Sequence, residues 1–136
     1  MKASEFRKLI KEEIRKVLKE AKGLELTLQQ FADKFAWSPA TKNAIITGVP
    51  KYIGDINDIV VIGAAENEEL FDKIDQYYDQ PEFAKSFKRA STDVDPKNTG
   101  YFYWSKLGKA FHFSTTNEYY IISKSTLQKI LTGAAI

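Results

Sequence analysis

The chain contains no cysteine, a single histidine and no long apolar run. The absence of cysteine excludes disulfides, thiolate metal sites and cysteine nucleophiles, and it suits a reducing compartment such as the cytosol or a virion interior. The longest apolar run covers residues 59–65, well below the roughly 20 residues that cross a bilayer. Charged residues interrupt the apolar ones near the N-terminus, so we expect neither a signal peptide nor a membrane partner.

Side chains suited to acid–base catalysis near neutral pH are also scarce. His112 is the only histidine, and the one close pair of carboxylates near a predicted strand end is Asp55 and Asp58. No neighbouring motif identifies these three residues as a catalytic site. We therefore predict that the protein is not an enzyme, that it uses no cofactor or small-molecule substrate, and that His112 has a structural role.

A calcium loop is the nearest match to a metal-binding motif, and it begins at Asp93. Asp93 and Asp95 occupy the first and third positions of such a loop. Lys97 stands at the fifth position and Trp104 at the twelfth, where oxygen ligands are required. We therefore predict no metal site, and we interpret residues 91–100 as a polar loop.

The composition is typical of one globular domain. Of the 136 residues, 43% are hydrophobic and 28% are charged, and a chain of this length buries roughly two-thirds of its unfolded surface. The 2 Trp, 7 Tyr and 9 Phe are numerous for this length, and eight of them lie between Tyr101 and Tyr120. We therefore expect a core that is rich in aromatic rings.

Residues 1–22 differ in charge from the rest of the chain. They contain eight Lys/Arg and four Asp/Glu, whereas the remaining residues carry a small negative net charge. Apolar residues recur there at three- and four-residue steps, which predicts an amphipathic helix that needs a partner for its apolar face. We predict a docking helix at 1–23 and a single α+β domain at 24–136. The predicted partner-binding residues are Phe6, Ile10, Ile14, Val17 and Leu18.

The segment EFRKLIKEEIRKVLKEA resembles the charged opening helix of small proteins from tailed bacteriophages. The resemblance covers residues 1–22 only. It implies a phage-encoded protein, located in the virion or the host cytoplasm, that contacts other virion subunits or a second copy of itself. In some of these phages such segments are cleaved after a Leu/Ile-x-Glu site, which residues 18–20 match. The favoured function is therefore a non-enzymatic virion component or assembly accessory factor that acts through protein–protein contacts.

Residues 27–48 predict a short helical hairpin. Thr27 and the pair Ser38 and Pro39 are helix-start signals, and Gly48 is a stop signal. The segment also resembles the helix-turn-helix of lac-repressor-type regulators. That resemblance implies an alternative function in DNA binding, with these candidate contacts: Thr41, Lys42, Asn43 and Lys51.

The middle of the chain predicts a buried strand followed by a helix. The β-branched run at residues 59–62 ends at Gly63 and indicates the strand. A helix at residues 65–79 follows, with an apolar face and an acidic face. The acidic face is either simply solvated or a complement to the basic N-terminal helix; it comprises Glu68, Asp72, Asp75 and Asp79. Pro81 begins another short helix, which we expect to extend to about Arg89.

The C-terminal third predicts an antiparallel meander with strands at 101–105, 109–114 and 118–123. Alternation places Phe111 and Phe113 on one face and His112 on the other. The aromatic residues are either core or, beside Lys106 and Lys109, a surface that stacks single-stranded bases. We also expect Ser125 to cap a last helix at 126–131 that ends by Gly133. The resulting fold class is α+β, with about four mostly antiparallel strands and helices on one face.

Overall fold

The computed structural model describes residues 26–36, 38–90 and 100–136. The predicted N-terminal helix and the calcium-like residues 93–98 lie outside the described residues. So do the proposed cleavage site at 18–20 and all the predicted partner-binding residues, which are Phe6, Ile10, Ile14, Val17 and Leu18. Within the described ranges, the helices and an antiparallel sheet confirm the α+β class.

The sheet has five strands in the order β1-β5-β4-β3-β2, and every neighbouring pair is antiparallel. The strands are β1 (Ile59–Gly63), β2 (Lys88–Arg89), β3 (Tyr101–Ser105), β4 (Ala110–Ser114) and β5 (Glu118–Ser123). The predicted meander is therefore confirmed. The strand that the sequence analysis missed is β2, because two residues are too few to show an alternating pattern.

The helices are α1 (Leu28–Phe35), α2 (Pro39–Ile53), α3 (Glu68–Tyr78), α4 (Pro81–Ala84) and α5 (Lys124–Thr132), with a 3-10 turn at Ile56–Asp58. Thr27 caps α1 through a capping box with Gln30, in which each side chain accepts a hydrogen bond from the other residue's backbone N–H. Ser38 caps α2, and Pro39 occupies its first turn. The predicted start signals of the hairpin are therefore confirmed.

Burial explains two of the wrongly predicted helix limits. Gly48 does not end α2, which continues to Ile53 because Val49 extends the buried face of the helix. Ser123 rather than Ser125 caps α5, since the buried Ser123 hydroxyl accepts a hydrogen bond from the Thr126 N–H. The left-handed stop at Gly133 is confirmed, with a φ of 73°.

Helices cover both faces of the sheet, whereas the sequence analysis placed them on one face. One core joins α1 and α2 to the face that carries Phe111 and Phe113. The other joins α3, α4 and α5 to the face that carries Tyr120 and Ile122. The physical reason lies in β1, all five residues of which are buried. A strand that is buried on both sides requires apolar partners above and below it.

The meander places consecutive side chains into different cores. Phe111 and Phe113 are fully buried in the core with α1 and α2, and the burial of each contributes roughly 1.5–3 kcal/mol. His112, between them, lies on the opposite face and pairs across the sheet with Tyr103 and Tyr120. At the β1 edge of the sheet, Leu26 covers the strand by exchanging two 2.9 Å backbone hydrogen bonds with Val61.

Candidate functional site

The residues predicted to contact DNA are divided between the interior and the surface. Thr41 is buried, and its hydroxyl lies 3.0 Å from the hydroxyl of Ser38. Lys42 forms an ion pair with Asp33 of α1. Asn43 and Lys51 are exposed, but they lie eight residues apart on α2, which is about 12 Å along a helix.

The candidate carboxylate pair has a local structural role. The carboxylate of Asp55 accepts a 2.9 Å hydrogen bond from the Asn57 N–H and caps the 3-10 turn that contains Asp58. Across the described ranges, no group of three or more His, Asp or Glu side chains is arranged to hold a metal ion. In the same ranges, no helix combines the length and the apolar character needed to cross a membrane.

A cluster of positive charge lines a groove at the β2 edge of the sheet. This basic groove has a volume of about 760 Å³. It is bounded by the segment from α4 to β2, the β3–β4 turn and the C-terminal residue. The lining residues are Glu82, Lys85, Ser86, Lys88, Arg89, Trp104, Lys106, Leu107, Lys109 and Ile136.

The basic groove carries a positive net charge, whereas the described residues as a whole are formally neutral. Those residues include eleven Lys/Arg and eleven Asp/Glu, so their formal charge is zero. Five of the eleven cations line the groove, and Glu82 is the one acidic side chain among its lining residues. A concave surface lined by charges of one sign concentrates the field and attracts anionic partners.

The floor of the basic groove is apolar. Leu107 is 54% exposed, and Trp104 is partly buried against the core. The Trp104 ring centroid lies 4.5 Å from that of Phe111 and 5.2 Å from that of Tyr52. A partner therefore meets an apolar surface surrounded by positive charge, which is an arrangement common at protein interfaces.

Hydrogen bonds hold the two walls of the basic groove together. The hydroxyls of Ser86 and Ser105 lie 2.5 Å apart and join the α4–β2 segment to β3. The Ser105 hydroxyl also accepts a 2.8 Å hydrogen bond from the Gly108 N–H, which closes the β3–β4 turn. Tyr78 of α3 donates a 2.7 Å hydrogen bond to the Gly108 carbonyl. These bonds fix the turn that carries Lys106.

The sequence analysis identified only part of the basic groove. It placed Lys106 and Lys109 beside the aromatic strands, and both line the groove. It missed Lys85, Lys88 and Arg89 because it assigned residues 81–89 to one helix, whereas the helix ends at Ala84. The available signal was a pair of short basic clusters, KSFKR and KLGK.

A second, smaller pocket lies on the face of the sheet that α3 covers. This aromatic pocket has a volume of about 190 Å³ and is lined by Asp75, Tyr78, Asp79, Ala84, Phe87, His112 and Tyr120. The Tyr120 hydroxyl donates a 2.7 Å hydrogen bond to the Asp75 carboxylate. The imidazole of His112 stacks on the Tyr120 ring at a centroid distance of 4.7 Å.

Burial controls ionisation in the aromatic pocket. It lowers the pKa of His112, and the nearby carboxylates of Glu118 and Asp75 oppose this effect only in part. Burial raises the pKa of Tyr120 far above its usual value, and the hydrogen bond to Asp75 raises it further. The pKa of Tyr78 is also raised by burial. At neutral pH the three side chains are therefore uncharged.

Comparison with known proteins does not identify a family. No protein-family model matches the chain, and no curated protein or solved structure matches it. The function is therefore inferred from the residues of the two sites.

Proposed function

We propose that this protein is a non-enzymatic bacteriophage protein that acts through protein–protein contacts, as a virion component or an assembly accessory factor. The observation that carries the proposal is the basic groove, with five cations around an apolar floor. The corresponding partner is a protein segment with acidic residues on both sides of an apolar side chain. Opposite charges would speed its association, and the apolar side chain would bury surface against Leu107.

The geometry of the floor favours a protein partner over single-stranded nucleic acid. Proteins that bind single strands offer exposed aromatic faces to successive bases. The ring of Trp104 instead packs against Tyr52 and Phe111, which leaves less of its surface for a base. Leu107, the most exposed apolar side chain of the groove, fits an aliphatic or aromatic side chain.

The N-terminal segment supplies a second element of the proposal. Its resemblance to phage opening helices supports a phage origin, and its apolar residues support docking to another chain. The predicted contacts are Phe6, Ile10, Ile14, Val17 and Leu18. A variant that lacks residues 1–22 is expected to lose its oligomeric state or its virion association. An unchanged state by light scattering, together with unchanged incorporation into virions, would contradict this part of the proposal.

The role of the basic groove can be tested with a labelled peptide, Glu-Glu-Leu-Glu-Glu, by fluorescence anisotropy. Reversing two exposed groove charges, K85E with K106E, is expected to weaken binding about tenfold or more. Each exposed ion pair contributes roughly 0.2–1 kcal/mol, and 1.4 kcal/mol corresponds to about tenfold. The matched control is K124E with K129E, which changes the net charge equally at two exposed lysines of α5.

Two further outcomes decide between the possible interpretations. If labelled oligo(dT) binds more tightly than the acidic peptide, and this binding is lost in the variant K85E with K106E, the partner of the basic groove is nucleic acid and not protein. Equal weakening in the groove variant and the control variant would refute a localised site.

The alternative function, DNA binding by α1 and α2, has less support. Lys42 is already paired with Asp33, and the Thr41 side chain faces the interior. A gel shift with duplex DNA that is lost on K51A would favour this alternative. The absence of a shift at low salt would exclude it.

A further inference from the structure

The aromatic pocket brings together four rings from three parts of the chain. Tyr120 lies between His112 and Tyr78, with centroid distances of 4.7 Å and 5.5 Å. Phe87, from the segment between α4 and β2, is perpendicular to the Tyr78 ring at 5.5 Å. Aromatic faces carry partial negative charge and attract a cation within about 6 Å of the ring centre.

The charged groups of the aromatic pocket favour the same kind of ligand. The residues lining it include two carboxylates, Asp75 and Asp79, and no lysine or arginine. His112 is uncharged at neutral pH because burial lowers its pKa. The Tyr120 phenol is uncharged because burial raises its pKa. The lining therefore presents two negative charges beside neutral rings, and an anion would be repelled.

The size of the aromatic pocket limits the ligand to a small group. Its volume of about 190 Å³ is below the roughly 300 Å³ at which pockets for drug-sized ligands begin. The end of one side chain matches this volume. Asp75 and Asp79 are both exposed, so their carboxylates remain accessible to a group that arrives from solvent.

We propose that the aromatic pocket binds the ammonium or guanidinium group of a lysine or arginine side chain from a partner polypeptide. Such a group donates charge-assisted hydrogen bonds to Asp75 and Asp79 and lies against the partly exposed rings of Phe87 and His112. The Nε2 atom of His112 is buried and has no hydrogen-bond partner among the described residues. The Glu118 carboxylate lies 3.6 Å from this atom, beyond hydrogen-bonding distance.

This inference is independent of the basic groove. The two sites share no lining residue, and they attract opposite charges. Either site can therefore fail its test while the other passes.

The single histidine provides a direct assay, because the ring protons of His112 give one isolated set of proton NMR signals in the full-length protein. We would titrate the protein with n-butylammonium chloride, n-propylguanidinium chloride and the tripeptide acetyl-Gly-Lys-Gly-amide. Sodium chloride, n-butanol and the tripeptide with acetylated lysine are the controls. The proposal predicts saturable shifts of the His112 signals with the three cations and none with the controls. Linear shifts that sodium chloride reproduces would overturn it.

Isosteric variants locate the binding site. D79N and D75N are each expected to weaken binding of the lysine tripeptide about fivefold, which corresponds to the loss of one close charge pair. D72N is the matched control, because Asp72 is an exposed carboxylate of α3 outside the aromatic pocket. Equal weakening by all three variants would show a general charge effect and contradict the proposal. Saturable binding of n-butylammonium without binding of the tripeptide would exclude a polypeptide as the source of the cation.

Discussion

Replacing Gly108 by alanine is the most discriminating structural test of the turn beside the basic groove. An added Cβ would lie 2.7 Å from Cε1 of Tyr78 and 3.0 Å from the hydroxyl oxygen of Ser105. Real Cβ atoms almost never approach other atoms as closely as the first of these distances. The substitution therefore requires either the Tyr78 ring or the β3–β4 turn to move.

Neither group moves without losing interactions. Tyr78 is 2% exposed, its ring packs edge-on against Phe83 and Phe87, and its hydroxyl is bonded to the Gly108 carbonyl. Overpacking a core costs roughly 1–3 kcal/mol, and the loss of one buried hydrogen bond adds about 1 kcal/mol. We expect G108A to lose about 2–4 kcal/mol of unfolding free energy.

The assay is urea denaturation of G108A, with G133A as the matched control. Gly133 has a φ of 73°, and an added Cβ there has no atom within 4 Å. G133A is therefore subject to backbone strain alone, roughly 1–2 kcal/mol. If G108A is no less stable than G133A, the close contact between Tyr78 and Gly108 does not exist in solution. The groove variant K85E with K106E is expected to be as stable as the unmodified protein, because both lysines are exposed.

Two other predictions concern the aromatic pocket. Because the pKa of His112 is lowered in the folded state, the unfolded chain binds the proton first as the pH falls below the ordinary pKa of histidine. The contribution of neutral His112 to the unfolding free energy is therefore complete above about pH 6.5 and decreases below it. The urea midpoint should decrease less between about pH 7.5 and about pH 5 in H112Q than in the unmodified protein. An equal decrease in both proteins would refute this prediction. Y120F removes the 2.7 Å hydrogen bond to Asp75 and should lower the unfolding free energy by about 0.5–1.5 kcal/mol. A double-mutant cycle with D75A, which removes the acceptor, should show non-additive effects, whereas additive effects would mean that the bond contributes nothing.

Short-range patterns explain the parts of the fold that were predicted correctly. The capping residues Thr27 and Ser38 act within three residues of the chain, so the sequence contains all of the relevant chemistry. The strands of the meander direct successive side chains to opposite faces of the sheet over five or six residues, which is a local signal as well. The pattern therefore located Phe111, His112 and Phe113 on the correct faces.

Interactions between distant segments explain the errors. Gly48 is a stop signal in isolation, but the burial of Val49 against the sheet outweighs it. Lys88 and Arg89 continue a helical pattern, yet they pair with Trp104 and Tyr103 in the sheet. Local propensity is weaker than these tertiary contacts, and no sequence window contains both partners.

The sequence by itself determined the α+β class, the meander, the starts of α1 and α2 and the concentration of positive charge in residues 1–22. Only the tertiary structure decided that helices cover both faces of the sheet and that lysines from residues 85–88 and 106–109 line one groove. It likewise brought Asp75 into contact with Tyr120, 45 residues away. The physical reason is that periodicity and capping act over a few residues. Both binding sites, in contrast, depend on how the α3 and α4–β2 segments pack against the meander.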